Sequence, residues 1–198
     1  MSRTSPSSSS SLRVHAMLPR SQVNGPGVRT VIWLQGCKRR CPGCFNPRAR
    51  PLKGGFTMTP QQLLRQVESY RTDGVTISGG EPLLQMTPLL EFLNLIRSTS
   101  TLTVILYTGY TLEEIQALPL GMQLLSTVDI LIDGAYDRGQ PASDGIRGSL
   151  NQRIHFLSDR YSESDLIRAE RKEIMILPDG TIIKTGVWTT NPPCSSAP

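Results

Sequence analysis

No aspartate or glutamate occurs before Glu68, so the first third of the chain is purely basic. Between Arg29 and Lys53 there are seven Lys/Arg and no acid. Long apolar runs are missing as well; none reaches the ~18 residues that a membrane helix needs. Histidine is scarce, with two residues, and the four cysteines lack the pattern of a disulfide framework in a chain without a secretory signal. A membrane span and a secreted disulfide scaffold are thereby set aside, and a reducing, cytoplasmic setting is expected. A basic patch often means nucleic acid, but no zinc-finger or other nucleic-acid motif accompanies this one. The charge reads as a solvated face or as a docking surface for an acidic electron donor.

What is present is 198 residues with 38% hydrophobic content, enough for one domain with a sizeable core. Residues 1–21 read as a disordered Ser-rich tail, with "MSRTSPSSSSSLRVH" too polar to pack. Serine and arginine without acid also fit an organelle transit peptide, and Met17 is an alternative start. Residues 22–160 form the expected core. Residues 161–188 are a C-terminal extension in which "EIMILPDGTIIKTG" reads as a β-hairpin turning at Pro178-Asp179-Gly180. Residues 189–198 are polar, Pro-rich and loose.

Within the core, strand and helix signals alternate. "VRTVIWLQ" (28–35), "GVTISGG" (74–80), "LTVILYTGY" (102–110) and "STVDILIDG" (126–134) read as strands. The first helix starts with Thr59 as N-cap and Pro60 at its first position, and places Leu63, Leu64, Val67 and Tyr70 on one face. "TPLLEFLNLIRS" (87–98) repeats that start, and Thr111 with Glu114 has capping-box spacing. Such alternation argues for parallel βα units with a site at the carboxyl ends of the strands. Cys37, the Gly79–Glu81 stretch, Thr108 with Gly109, and Asp133 all fall at those ends.

"QGCKRRCPGCFNPR" holds Cys37, Cys41 and Cys44 in C-x3-C-x2-C spacing, and Cys194 lies far away in the tail. Structural zinc wants four ligands in a closed tetrahedron, and only His15, His155 or Cys194 remain to complete one. A thioredoxin-like pair at Cys41 and Cys44 leaves Cys37 unexplained and should open a helix. An iron–sulfur cluster held by three thiolates keeps one iron open for a substrate or cofactor.

The triple-cysteine loop after a first strand resembles the signature of the radical S-adenosylmethionine (SAM) enzymes, and "SGGEP" (78–82) resembles their glycine-rich motif. "VNGPGVRTVIWLQGCKRRCPGCFNP", "GVTISGGEPLL", "YTGY", "DILIDGAY" and "RGSLNQR", in this order, resemble the activating proteins of anaerobic ribonucleotide reductases. The resemblance covers about residues 22–155. It implies an α/β fold: a shortened, open (βα) radical-SAM-type partial barrel, here with a C-terminal β-hairpin extension. It implies a [4Fe–4S] cluster on Cys37, Cys41 and Cys44, with SAM on the open iron. Reduction would cleave SAM to methionine and a 5′-deoxyadenosyl radical, which makes a glycyl radical on a partner enzyme. Gly79, Gly80 and Glu81 would face the SAM methionine moiety, with Glu81 accepting from its ammonium. Thr108 and Gly109 would lie in reach of SAM or form a turn. Asp133 is left between a ribose hydroxyl, a cation, a partner and a turn role. Arg147, Asn151 and Gln152 would line the substrate entrance or tie down the end of the domain. Leu150 departs from the small polar residue usual in that motif. The partner implied is anaerobic ribonucleotide reductase, with a flavodoxin-like acidic protein as electron donor. A small-molecule substrate of the 7-deazapurine-precursor type, another protein substrate, and a non-enzymatic zinc-stabilised module stay open.

Overall fold

The computed structural model describes residues 11–142, 146–167, 172–176, 180 and 182–186. Its strands are β1 (Leu12–Ser21), β2 (Arg29–Leu34), β3 (Phe56–Met58), β4 (Gly74–Gly79), β5 (Thr103–Tyr107), β6 (Ile130–Asp133), β7 (Arg153–Phe156), β8 (Lys172–Ile176) and β9 (Ile182–Gly186). Its α-helices are α1 (Pro60–Ser69), α2 (Met86–Thr99), α3 (Leu112–Gln116), α4 (Gly121–Leu125) and α5 (Glu163–Ile167). Seven strands make one open sheet in the order β3-β1-β2-β4-β5-β6-β7. Strands β2, β4, β5 and β6 run parallel in its centre, while β1 and β7 pair antiparallel at the flanks. The expected α/β class, with a short open βα array and a C-terminal hairpin, is the architecture observed.

Alternation along each strand decides what each face buries. On β5, Val104 and Leu106 join the main core with α1, α2, α3 and α4, which contribute Leu63, Val67, Phe92, Leu93, Ile115 and Leu124. Ile105 points the other way, into a second cluster with Ile130, Ile132, Ile146 and Leu166. Helix α1 has the expected reciprocal cap between Thr59 and Gln62, and α3 has the one between Thr111 and Glu114.

Three expectations are corrected. The tail predicted for 1–21 is ordered from Leu12: β1 pairs with β2, and Leu12, Val14 and Leu18 have no exposed surface. Leu12, Val14, Ala16 and Leu18 keep a strand's period of two right after the serine run, and the pairing with β2 shifts register between Val14 and Ala16. Residues 1–10 lie outside the described residues. Second, α2 does not use Thr87 as its cap. A 3₁₀ turn at Pro82–Gln85 leads straight into Met86, and Gln85 makes no side-chain cap bond. Third, the stretch 126–134 is strand only from Ile130, because residues 126–128 form the turn that closes α4, bonding back to Met122, Leu124 and Leu125. The hairpin β8–β9 forms its own two-stranded sheet and pairs with neither edge of the large one. Its turn residues 177–179, and the tail with Cys194, lie outside the described residues.

Arg29, at the start of β2, has no exposed surface. It donates to the Thr76 and Thr103 hydroxyls, the Val75 and Thr103 carbonyls, and Tyr161 Oη. One guanidinium thus joins the starts of three parallel strands to the segment that follows the core. Asn24, just before β2, bonds Thr185 of β9 at 3.0 Å. These contacts gather the structural polar groups at the amino ends of the strands and leave the carboxyl ends for the site.

Candidate cluster and SAM site

Strand β2 runs into the cysteine loop through Gln35, whose amide donates to the Pro51 carbonyl at 2.6 Å and whose Oε1 meets His15 Nδ1 at 2.8 Å. The two ends of the loop are stapled together. Gly36 N–H donates to the Ala49 carbonyl at 2.7 Å, and Cys37 N–H to the Arg50 carbonyl at 2.9 Å. Inside the loop, Cys44 N–H donates to the Cys41 carbonyl at 3.3 Å. Pro42 and Gly43, with Gly43 at φ 67°, are the middle residues that a type II turn requires. The chain after Cys44 makes only a 3₁₀ turn at Pro47–Ala49, so the Cys41–Cys44 pair does not open the helix that a thioredoxin-like site needs.

Cys37, Cys41 and Cys44 are free thiols, each half-buried. Burial pushes the Cys37 thiol up, hydrogen bonding with the Arg39 backbone works against that, and Glu81, Cys44 and Cys41 add to the rise. The three sulfurs therefore sense one another. Yet among the described residues no three His, Cys, Asp or Glu side chains converge tightly enough to hold one metal ion. Three thiolates on one loop fit a cluster that keeps one iron open better than a zinc site closed by four ligands.

The glycine-rich segment docks against this loop by its backbone. Gly80 N–H donates to the Leu34 carbonyl at 2.7 Å, and Glu81 N–H to the Gly36 carbonyl at 2.8 Å. A Cβ at Gly79 would sit 2.3 Å from Leu34 N, and one at Gly80 would sit 2.2 Å from the Gly36 oxygen. The two glycines are thus required for the close approach of β4's end to the cysteine loop.

Glu81 is 2% exposed. Its Oε1 accepts from Thr108 Oγ1 at 2.7 Å and Leu83 N–H at 3.1 Å, and its Oε2 accepts from Gly109 N–H at 2.9 Å. Burial raises its carboxyl pKa, and these three donors and Arg39 only partly offset the rise. Thr108 and Gly109 therefore meet Glu81 directly, and the three form a bridge between the ends of β4 and β5. The carboxylate read as an acceptor for an ammonium is engaged by protein donors on both oxygens, which gives it an organising role in this geometry.

Asp133 stands apart from that group. It shares a face with Leu131, toward the helices, and its Oδ2 accepts from Leu112 N–H at 2.6 Å. Arg153, opposite it on β7, donates to both of its oxygens, and His155 Nε2 lies 3.2 Å away. Burial works to raise this carboxyl, but Arg153, the Leu112 amide and His155 outweigh it and hold it below the ordinary value. The cation that Asp133 binds is the protein's own. Arg147, Asn151 and Gln152 all bond backbone groups of residues 134–152, so they brace the end of the core. Phe45 and Tyr136 rings stack 4.4 Å apart and tie that segment to the cysteine loop.

Arg50 was not singled out from the sequence, and Arg39 was read there only with Lys38 and Arg40 as a contact for an acidic electron donor. Arg39 lies with its guanidinium 4.4 Å from the Tyr110 ring centre, 3.3 Å from Glu114 and 3.8 Å from Glu81. The signal was the basic run inside the loop, whose acidic partners lie far along the chain.

Residues 23–155 match the family described as 4Fe-4S single cluster domain. The chain is 35% identical over 154 residues to the anaerobic ribonucleoside-triphosphate reductase-activating protein of Enterobacteria phage T4, covering 74% of this chain and 96% of that one. It is 30% identical over 155 residues to the protein of the same name from Escherichia coli K12, covering 74% and 99%. With the pyruvate formate-lyase-activating enzyme of Clostridium pasteurianum it shares 38% identity over 104 residues, 50% of this chain and 44% of that one.

Proposed function

The chain belongs to the 4Fe-4S single cluster domain family, and from that premise we propose that it is a radical SAM activating enzyme whose partner is an anaerobic ribonucleotide reductase. The observation that carries this is the junction of the two motifs: the triple-cysteine loop and the Gly79–Glu81 segment are joined by backbone hydrogen bonds at the carboxyl ends of β2 and β4. Relatives matched over 96% and 99% of their length carry the activating-protein name, which supports the choice of partner.

Held by Cys37, Cys41 and Cys44, the cluster with SAM would supply one-electron carbon–sulfur cleavage and with it the hydrogen-atom abstraction that a glycyl radical requires. The protein's part is to hold and to shield. Cys37, Cys41 and Cys44 hold the cluster. Gly79 and Gly80 bring β4 against the loop, and Glu81 fixes Thr108 and Gly109 beside it. The sheet stays open, with β3 and β7 as its edges, which suits a loop entering from a large protein better than an enclosed small molecule. Lys38, Arg40, Arg48 and Lys53 are exposed around the half-buried cysteines. They suit an acidic electron donor of the flavodoxin type in the cytoplasm, steering it by long-range attraction.

The deciding experiment mixes the reduced, cluster-loaded chain with SAM and an anaerobic ribonucleotide reductase and reads electron paramagnetic resonance. A glycyl radical on the reductase is expected. SAM cleavage without that radical would sink the choice of partner and leave the small-molecule reading in its place. About one zinc with neither iron nor sulfide after anaerobic purification would sink the chemistry itself.

A further inference from the structure

Two guanidinium N–H groups beside the cysteine loop are buried and have no acceptor, Arg39 Nε and Arg50 Nε. Their surroundings differ. The Arg39 charge is met by Glu114 and, more loosely, by Glu81. Among the described residues no carboxylate pairs with Arg50. Its Nη2 donates to the Arg39 carbonyl at 3.4 Å, and the same oxygen accepts the Cys37 thiol at 3.8 Å. On the backbone, Cys37 N–H donates to the Arg50 carbonyl at 2.9 Å. Arg50 is therefore tied to Cys37 twice, directly through the main chain and through a shared acceptor, and neither tie uses its Nε–H.

We infer that Arg50 is a positioning residue for the redox charge: its guanidinium is held on the same Arg39 carbonyl that the Cys37 thiol reaches, and from there it stabilises the reduced cluster. The inference rests on Cys37 being a cluster ligand. As a ligand Cys37 has lost its proton, so its bond to the Arg39 carbonyl is gone while that of Arg50 remains. A cation with an unsatisfied N–H then stays on the carbonyl that the sulfur, now anionic, has released. Reduction adds one electron from an external donor and makes or breaks no bond, so the site becomes more negative by one charge. A cation held in a partly buried place favours that state, and hydrogen bonds to cluster sulfurs raise the potential in the same sense. Lys38, Arg40, Arg48 and Lys53 are exposed, and salt screens them.

The test uses the full chain with its cluster reconstituted anaerobically. Iron and sulfide are measured, and the cluster is titrated against potential with electron paramagnetic resonance as the readout. Arg50→Gln is expected to retain iron and sulfide but to hold about tenfold less reduced cluster at a fixed potential, a midpoint ~59 mV lower. Arg50→Lys, which keeps the charge but not the fork, is expected to fall between the two. It decides alone if the glutamine variant takes up less iron, and a wild-type midpoint in it then overturns the inference. Arg48→Gln, an exposed neighbour, is expected to titrate as wild type. A wild-type midpoint in a fully loaded Arg50→Gln, or an equal shift in Arg48→Gln, overturns the role of Arg50 while the cluster reading stands. Absence of iron and sulfide from the wild-type chain overturns both.

Discussion

Glu81 and Asp133 are two buried carboxylates at neighbouring ends of one parallel sheet, and their settings are opposite. Glu81 is met by a hydroxyl and two backbone amides, with its nearest cation 3.8 Å away, and burial raises its pKa. Asp133 is gripped by Arg153 and approached by His155, and its pKa is lowered. Position at a strand end is shared, so the neighbours decide. The acid next to the cysteine loop is kept short of counter-charge, in a place where charge changes during function. The acid on β6, one strand in from the edge, is saturated, and it holds β7 and α3 in place.

The largest contrast between the two regions should come from Cys44→Ala. Iron content and SAM cleavage should drop to background while the thermal transition stays near that of wild type, and Cys194→Ala should lose neither. Loss of iron in Cys194→Ala would overturn the open-iron argument. Next comes Asp133→Ala, which leaves Arg153 and His155 without their shared acceptor. Arg153 is part-exposed and keeps Glu113, but the Leu112 N–H loses its acceptor, so the loss is about 2–4 kcal/mol, and denaturant unfolding should show it with iron uptake per folded chain unchanged. Glu81→Gln should be milder. Its new NH₂ can face the Gly109 N–H or the Thr108 and Leu83 donors, an unsatisfied contact worth about 1–3 kcal/mol. SAM binding should weaken with it, as measured by calorimetry on the loaded chain.

The pH dependence sharpens the same comparison. Asp133 has a lowered pKa, so its stabilisation is present above the ordinary carboxylate range and is lost as pH falls through the lowered value. Glu81 has a raised pKa, so its contribution is greatest below the ordinary value and declines as pH rises through the raised one. Asp133→Asn should therefore flatten the acid limb of stability, and Glu81→Gln should remove a decline toward neutral pH. Unfolding midpoints across pH 3–8 would distinguish the two. The smallest effect belongs to Glu113→Ala. Its carboxyl is drawn down to about 2 by Arg153, but it is solvent-exposed, and its removal should not be separable from wild type in a thermal scan.

Much of the site was legible because it is carried by residue types at fixed spacing. Three cysteines on one loop and the Gly-Gly-Glu turn need no tertiary knowledge to be found. The four central strands were legible for a similar reason, since they are short apolar runs between breakers. β1 was not, because its alternating Leu12, Val14, Ala16 and Leu18 follow directly on a serine run that suggests a tail. β7 was hidden in "RIHF", directly behind "RGSLNQ", where only the pairing with β6 makes a strand of partly exposed residues. The roles of Glu81 and Asp133 were beyond reach, because Thr108, Gly109, Leu112 and Arg153 come close only after folding. Arg50 was hidden for the same reason: its relation to Cys37 runs through a backbone carbonyl that sequence does not display.

The staple between Gly36–Cys37 and Ala49–Arg50 has a consequence for how the protein is filled. Bringing together the ends of a loop costs configurational entropy, which rises slowly with the number of residues enclosed. Here that cost is met by the fold itself, before anything is bound. Loading the site then has only thiol rotamers to order, unlike a zinc finger, whose chain collapses around its ion. The protein should behave as a rigid receptacle. Stripped by a chelator, it should remain folded, and it should refill without passing through the denatured ensemble.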